Sequence, residues 1–170
     1  PGVLTSEAAT APAGYRLPFV GLHYISNGPG CSDLHQNRSL EAIDFPMVTG
    51  THIYAPQPGS IYSAVYGYND GFGNLLKLQH DDGYMSWFAH LESFVKTSGS
   101  VLREEHVANS GNSGNSSGPH LHYELRGSNN YSVWIRDLPG ITWYSGNPSN
   151  PCQPAGQNDG EATGPDVGGG

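Results

Sequence analysis

The sequence predicts a mostly β fold: a single domain built on an antiparallel β-sheet, with long loops and little helix. The 170 residues include 24 Gly and 13 Pro, which favour turns. Short runs of β-branched and aromatic residues lie between those turns. No stretch repeats apolar residues at the i, i+3, i+4, i+7 spacing of an amphipathic helix. A chain of this length fits one compact domain.

Four segments have the composition of strands, and we predict them in chain order at residues 60–66, 74–80, 84–90 and 120–125. The second and third flank Asp81-Asp82-Gly83, a three-residue loop whose glycine stands where a positive φ is needed. This loop predicts a β-hairpin.

The ends of the chain differ in composition from its centre. Residues 1–14 are small and predict a flexible N-terminal segment, and residues 151–170 are rich in Gly and predict a tail or linker. The domain is therefore expected over residues 15–150. Within it, the turn formers of residues 15–43 predict a long surface loop. Because the chain begins at Pro1, we interpret it as a mature fragment without its targeting segment, or as a trimmed chain.

The charge of the chain excludes two classes of partner. The formal charge is −8 with only 7 Lys and Arg, whereas nucleic-acid binding requires a basic surface. Anionic membranes are disfavoured for the same reason, and no apolar run approaches the ~20 residues that cross a bilayer. We expect neither a nucleic-acid nor a membrane partner.

The two cysteines, Cys31 and Cys152, are too far apart in sequence for a CxxC motif. We predict that they form a disulfide, which implies an oxidising compartment and ties the C-terminal segment back to an early loop. Two unpaired thiols are the alternative.

Eight histidines are many for this length and suggest a metal or acid–base site. His120 and His122 are two apart on a predicted strand, so their side chains share one face. That spacing suits one metal ligand beside one proton carrier, and a partly solvated sheet face is the alternative. Asp44 lies between Ile43 and Phe45, where a carboxylate is costly to bury unless it is paired or bound to a metal. An exposed aspartate at a loop end is the alternative there.

Two further histidines lie on the predicted hairpin. His80 shares its strand face with leucines, and we expect it to be a core residue. His90 stands at the end of the next strand, and strict alternation puts it on the face of Ser86 and Phe88. Its position alone leaves the role of His90 open.

Several motifs now carry a resemblance when they are taken together. In chain order they are EAIDFP at Glu41–Pro46, Gly50-Thr51, IYAP at Ile53–Pro56, Gly73-Asn74, FAHL at Phe88–Leu91 and SGPHLHYEL at Ser117–Leu125. Over residues 31–126 the chain resembles the lysostaphin/LytM-type zinc endopeptidases of peptidoglycan, a group that includes LasA-like enzymes.

The resemblance implies roles for individual residues. By motif position, Asp44 and His122 resemble zinc ligands, and His90 and His120 resemble the two catalytic histidines that do not bind the metal.

The third ligand departs from the commonest pattern, in which a histidine lies four residues before the aspartate, because Leu40 occupies that position. Some members carry the histidine nine residues before it, where this chain has His35. LasA-like members place it further upstream, and His23 resembles that position. We predict His35 as the ligand, with His23 as the alternative.

The implied function is a secreted, bacterial zinc metalloendopeptidase, monomeric, with one Zn²⁺ per chain and loops that form a substrate groove. The implied substrates are peptidoglycan stem-peptide cross-links or glycine-rich bridges. Two alternatives stay open: a non-catalytic cell-wall-binding or regulatory domain of the same fold, and an extracellular protease of proteins such as elastin. Glu124 shares the face of His122, and we expect it to be solvent-exposed, with orientation of the metal ligand as the alternative.

Overall fold

The structure is a computed structural model that describes residues 10–135, 138, 152 and 161–162. Its strands are β1 Gly21–Leu22, β2 Ile43–Pro46, β3 His52–Tyr54, β4 Gly59–Val65, β5 Asn74–His80, β6 Met85–Phe94, β7 Ser100–Val101, β8 His106–Ser110, β9 His120–Arg126 and β10 Glu161–Ala162. Within these residues the helices are two short 3-10 turns, Asn37–Ser39 and Asn69–Gly71. None of the described helices is long and apolar enough to span a membrane. The predicted mostly β fold is confirmed.

Eight strands form one antiparallel sheet in the order β2-β9-β6-β5-β4-β7, in which β8 pairs with both β6 and β3. The pair β1 and β10 forms a separate two-stranded sheet. Strands β9 and β6 lie beside each other near the centre of the sheet. Side chains on their shared face therefore pack against neighbours from the adjacent strands. This is the part of the sheet on which the candidate site lies.

The four strand predictions are confirmed with small changes at the ends. The predicted hairpin joins β5 and β6, and Gly83 in its loop has φ +92°, a conformation that glycine adopts without the steric cost of a side chain. Strand β6 is longer than predicted, because it continues past His90 to Phe94.

The hydrophobic core lies on one face of the large sheet. Alternate residues of the central strands supply it, with Phe88 from β6 stacked on Tyr123 from β9 at 5.2 Å between ring centroids. The buried set also includes Leu76, Leu78, Leu121, Leu125, Ile43, Phe45, Ile53, Val107 and Ala108. The opposite face of the same strands carries polar side chains together with a small apolar cluster of Leu75, Trp87 and Ala89.

Residues 15–43 are not a surface loop, so this prediction was wrong. Tyr15, Leu17, Phe19 and Ile25 belong to the core, although the segment has little regular structure. Its backbone is paired with strands, for example by the Ser26 N–H that donates to the Asp44 carbonyl at 3.0 Å. Burial of these apolar side chains outweighs the turn-forming composition around them.

His80 is a core histidine, as predicted. Its Nδ1 donates to the Pro58 carbonyl at 3.0 Å, and its Nε2 accepts from the Ser86 hydroxyl at 2.7 Å. The Tyr123 hydroxyl donates to Ser86 at 2.9 Å and completes the chain. Burial lowers the pKa of His80, so the buried ring is held neutral by satisfied hydrogen bonds.

The two ends of the chain meet the domain at a few described residues. The predicted disulfide is present between Cys31 and Cys152, and β10 pairs with β1. Thr10 forms a bridge with Trp134. Most of the segments expected to be flexible at either end lie outside the described residues.

Candidate metal centre

Two strands and one loop bring three ligand-type side chains together. Asp44 on β2 pairs directly with His122 on β9, and His35 lies in the loop just before the first 3-10 turn. All three side chains are buried, and their ligand-type atoms lie within 4.8 Å of one another. The residues predicted as metal ligands thus form one cluster.

Each imidazole of the cluster has one nitrogen anchored and the other directed at the carboxylate. His35 donates from Nδ1 to the Gly28 carbonyl at 2.8 Å, and its Nε2 lies 3.0 Å from Asp44 Oδ1. His122 donates from Nε2 to Glu124 at 2.7 Å, and its Nδ1 lies 3.4 Å from Asp44 Oδ1. The anchoring bonds fix both ring orientations, as is usual around metal-binding histidines.

The cluster fits a zinc ion. The Nδ1 atom of His122 is buried and has no hydrogen-bond partner, which is costly in a metal-free protein. Two imidazoles and one carboxylate are also the donor set of catalytic zinc sites, which keep one position open. Burial alone would raise the pKa of Asp44, but the neighbouring imidazoles of His120, His122 and His35 lower it well below its usual value. The carboxylate is therefore ionised, as a metal ligand must be.

Glu124 is fully buried, so the expectation that it would be exposed was wrong. Its second oxygen accepts from Arg126 Nε at 2.6 Å and from the Ser39 hydroxyl at 3.1 Å. Arg126 in turn donates to the same hydroxyl at 2.8 Å. Because every polar group of this trio is bonded, the carboxylate can remain ionised inside the protein and orient His122.

His90 reaches the cluster through a β-bulge, so the prediction that it shares the face of Ser86 and Phe88 was wrong. At one point in the pairing of β5 with β6, the single residue Leu75 of β5 lies opposite two residues of β6, Ala89 and His90. His90 has φ +59°, a left-handed conformation that is uncommon for a residue with a side chain. The extra residue turns the imidazole from the core face to the face of the metal cluster.

The bulge is supported by the segment 110–119, which the sequence shows only as a low-complexity turn. His90 donates from Nδ1 to the Ser113 carbonyl at 2.8 Å. A Cβ at Gly73 would lie 2.5 Å from the Ser113 backbone, so only glycine allows this approach. Sequence reasoning missed Ser113, and a glycine within the Gly73-Asn74 motif is the signal that could have indicated a close backbone contact there.

His120 lies beside the carboxylate and opposite His90. Its Nδ1 donates to the Gly118 carbonyl at 2.8 Å, its Nε2 is 3.5 Å from Asp44 Oδ1, and its ring centroid is 4.6 Å from that of His90. Both imidazoles therefore turn Nε2 away from their backbone anchors.

Three histidines of the site, His90, His120 and His122, differ in their affinity for protons. Burial first, and then the charges of His122 and His120, lower the pKa of His90 to about 4. For His120, burial acts in the opposite direction, but Asp44 raises the pKa. For His122, burial is outweighed by Asp44 and Glu124, which raise the pKa to about 9. Side chains with lowered and with raised pKa thus lie side by side in one cluster.

A cavity of about 350 Å³ opens onto these side chains. Besides the five histidine and aspartate side chains, its lining includes Asn27, Asp33, Asn115 and Ser116. Asn27 donates to Asp44 Oδ2 at 3.3 Å, and nothing in its Gly-rich surroundings indicated that contact. The cavity is large enough to admit part of a peptide chain beside the cluster.

His23, the alternative third ligand, is not part of the cluster. Its ring packs edge-on against Phe19 at 4.8 Å, and its Nε2 lies 3.3 Å from the Val20 carbonyl. Of the two candidates, the structure brings His35 to Asp44 and His122.

Several known proteins are similar to this chain in sequence. A peptidoglycan DD-endopeptidase of Vibrio cholerae is 39% identical over 84 residues, which are 48% of this chain and 19% of that protein. The chain spans about a quarter or less of the length of the first curated relatives it matches.

Solved structures show the same fold. The catalytic domain of the antimicrobial peptidase lysostaphin from Staphylococcus simulans has a TM-score of 0.53 at 31% identity, covering 61% of this chain and 79% of that one. A zinc-containing peptidase from Vibrio cholerae has a TM-score of 0.54 at 26% identity, covering 77% of this chain and 40% of that one. The sequence profile of Peptidase family M23 matches residues 38–133, more than half of the chain. The chain therefore belongs to peptidase family M23.

Proposed function

We propose that this protein is a zinc endopeptidase that hydrolyses peptide bonds in bacterial peptidoglycan, and that His35, Asp44 and His122 hold the metal. The buried, unbonded Nδ1 of His122 beside Asp44 is the observation that carries the proposal. Removing such an atom from water is unfavourable unless a ligand takes its lone pair.

A zinc ion bound there supplies Lewis acidity toward the scissile carbonyl and a nearby water. The protein's own part is to hold three donor atoms in a buried cluster whose imidazoles are each anchored by a second hydrogen bond. The cavity beside the cluster gives a peptide access to these groups.

His90 and His120 are proposed as the catalytic histidines. Both rings line the cavity, and in both Nδ1 is occupied by a backbone carbonyl, which leaves Nε2 for the reaction. One imidazole accepts the proton of the attacking water, and the other donates to the developing oxyanion or to the leaving amine. Without a metal ion the pKa of His90 is lowered and the pKa of His120 is raised, so the two imidazoles differ in their affinity for protons.

The proposed substrates are stem-peptide cross-links or glycine-rich bridges. The similarity to a peptidoglycan DD-endopeptidase and to lysostaphin supports them. The Cys31–Cys152 disulfide supports a location outside the cytoplasm, where disulfides persist.

A digest of purified peptidoglycan tests the function, with elastin as the alternative substrate and with each reaction repeated after chelation. We expect soluble fragments with new amino groups from peptidoglycan alone, abolished by the chelator and restored by zinc. Elastin cleavage in place of peptidoglycan cleavage would favour a general extracellular protease. Cleavage of neither substrate would favour a binding domain, and cleavage that survives metal removal would overturn the zinc mechanism.

A further inference from the structure

A second cavity, of about 260 Å³, lies beside Trp87 on the face of the sheet that carries the metal cluster. Trp87 on β6 pairs with Glu124 on β9, two residues beyond His122 on the same strand face. Phe72 connects the two places, because its ring centroid is 5.4 Å from that of His122 and 5.6 Å from that of Trp87. Phe72 thus lies between Trp87 at the second cavity and His122 at the metal cluster.

Two cationic side chains line this second cavity, although the protein has few Lys and Arg residues. Lys77 Nζ lies 3.9 Å and Arg126 Cζ lies 3.5 Å from the centre of the Trp87 ring, although the chain has only 7 Lys and Arg and a charge of −8. The carboxylate of Glu124 bonds Arg126 at 2.6 Å and offsets its charge. Within the described residues the ammonium group of Lys77 has neither a hydrogen bond nor an ion pair, so one positive charge at the cavity is uncompensated.

Neutral donors complete the lining. Asn130 accepts from Arg126 through its Oδ1 at 3.0 Å, so the orientation of its amide is fixed and its NH₂ group points elsewhere. That NH₂ group and the hydroxyl of Ser128, which also lines the cavity, have no partner among the residues that the structure describes. An ammonium with two neutral donors around an apolar ring matches a carboxylate, which accepts several hydrogen bonds.

We propose that this cavity is a subsite for a carboxylate of the peptide substrate. The four-residue separation of His122 and Arg126 along β9 corresponds to roughly 13 Å at about 3.3 Å per residue. An extended peptide covers that distance in about four residues, so the recognised carboxylate lies about that far from the scissile bond. The inference rests on the proposed endopeptidase function and adds to it a preference for acidic peptides.

The test compares two substrates and four proteins. The substrates are a cross-linked muropeptide dimer with free carboxylates and the same dimer with those carboxylates converted to amides. The proteins are the wild type, Lys77→Gln, Lys77→Arg and the control Lys96→Gln, which removes a surface lysine whose partner is Glu105.

We expect Lys77→Gln to raise KM for the free-carboxylate dimer about 5-fold at unchanged kcat, within the range of a partly exposed charge-assisted contact. KM for the amidated dimer should not change. Lys77→Arg should preserve the discrimination, and Lys96→Gln should behave as the wild type. Equal effects of Lys77→Gln on both substrates, or no effect on either, would overturn the subsite.

A binding titration separates the subsite from the proposed function. Calorimetry with the full chain after chelation measures the affinity for each dimer without turnover. If the wild type cleaves neither dimer, the proposed function fails, and the titration still decides the subsite. Tighter binding of the free-carboxylate dimer that Lys77→Gln removes supports the subsite, and equal binding of both dimers refutes it.

Discussion

Replacing Glu124 by Gln should weaken zinc binding even though Glu124 is not a proposed ligand. The substitution keeps the shape of the side chain but exchanges the charge-assisted hydrogen bond to His122, 2.7 Å in the structure, for a neutral one. Charged hydrogen bonds contribute about 1.5–3 kcal/mol and neutral ones about 0.5–1.5 kcal/mol. The difference of about 1–2 kcal/mol corresponds to a zinc dissociation constant that is about 5- to 30-fold higher.

Competition with a chromophoric zinc chelator measures this change directly. Glu92→Gln, which removes an exposed carboxylate from the same strand as His90, is the matched control and should leave the affinity unchanged. Glu124→Gln also leaves Arg126 without its carboxylate partner, so circular dichroism must first show that the variant is folded. A folded Glu124→Gln protein that binds zinc as tightly as the wild type would refute the idea that Glu124 orients His122.

Three further outcomes are expected. His122→Ala should lose zinc and activity together, whereas His120→Ala should retain zinc and lose turnover by about 100-fold or more. Metal analysis and peptidoglycan digestion measure the two properties. If both variants retain zinc and activity, the assigned roles are wrong. Because burial lowers the pKa of His80, its contribution to stability is present above the ordinary histidine pKa of about 6.5 and is lost as the pH falls below it. Between pH 7.5 and pH 5.5, the free energy of unfolding measured with urea should therefore fall more for the wild type than for His80→Gln. Equal decreases would argue against a buried neutral ring. Replacing both Cys31 and Cys152 by Ser opens a link between residues 121 apart and should lower the free energy of unfolding by about 2–5 kcal/mol under non-reducing conditions, a loss that a reduced wild-type sample should reproduce.

The regular part of the sheet could be predicted from sequence because alternation along a strand is a local property. His120 and His122 project to one face of β9, as their spacing indicates, and the hairpin around Gly83 forms where the turn residues place it. The motifs that resemble a known family lie on these same strands, so ligand candidates could be named before any contact was known.

Two parts of the site could not be predicted, since each depends on contacts between distant segments. The bulge at His90 forms because the carbonyls of Phe72 and Ser113 accept from its N–H and its ring, and strand periodicity carries no trace of that insertion. A glutamate on a polar strand face is usually solvated, whereas Glu124 is covered and neutralised through Arg126. Only the folded chain shows that the guanidinium group of Arg126 lies beside Glu124.

The Cys31–Cys152 disulfide affects which residues a shortened chain must include. The segment that matches the family profile runs from 38 to 133, yet His35 and both half-cystines lie outside it. A truncated chain cut to those limits would lack one proposed zinc donor and the covalent anchor four residues before it. Anyone shortening the polypeptide for biochemical work should therefore keep at least residues 15–152. That range retains the core side chains Tyr15, Leu17, Phe19 and Ile25, together with the backbone acceptor at Gly28 and the tether at Cys152 that hold the His35 loop.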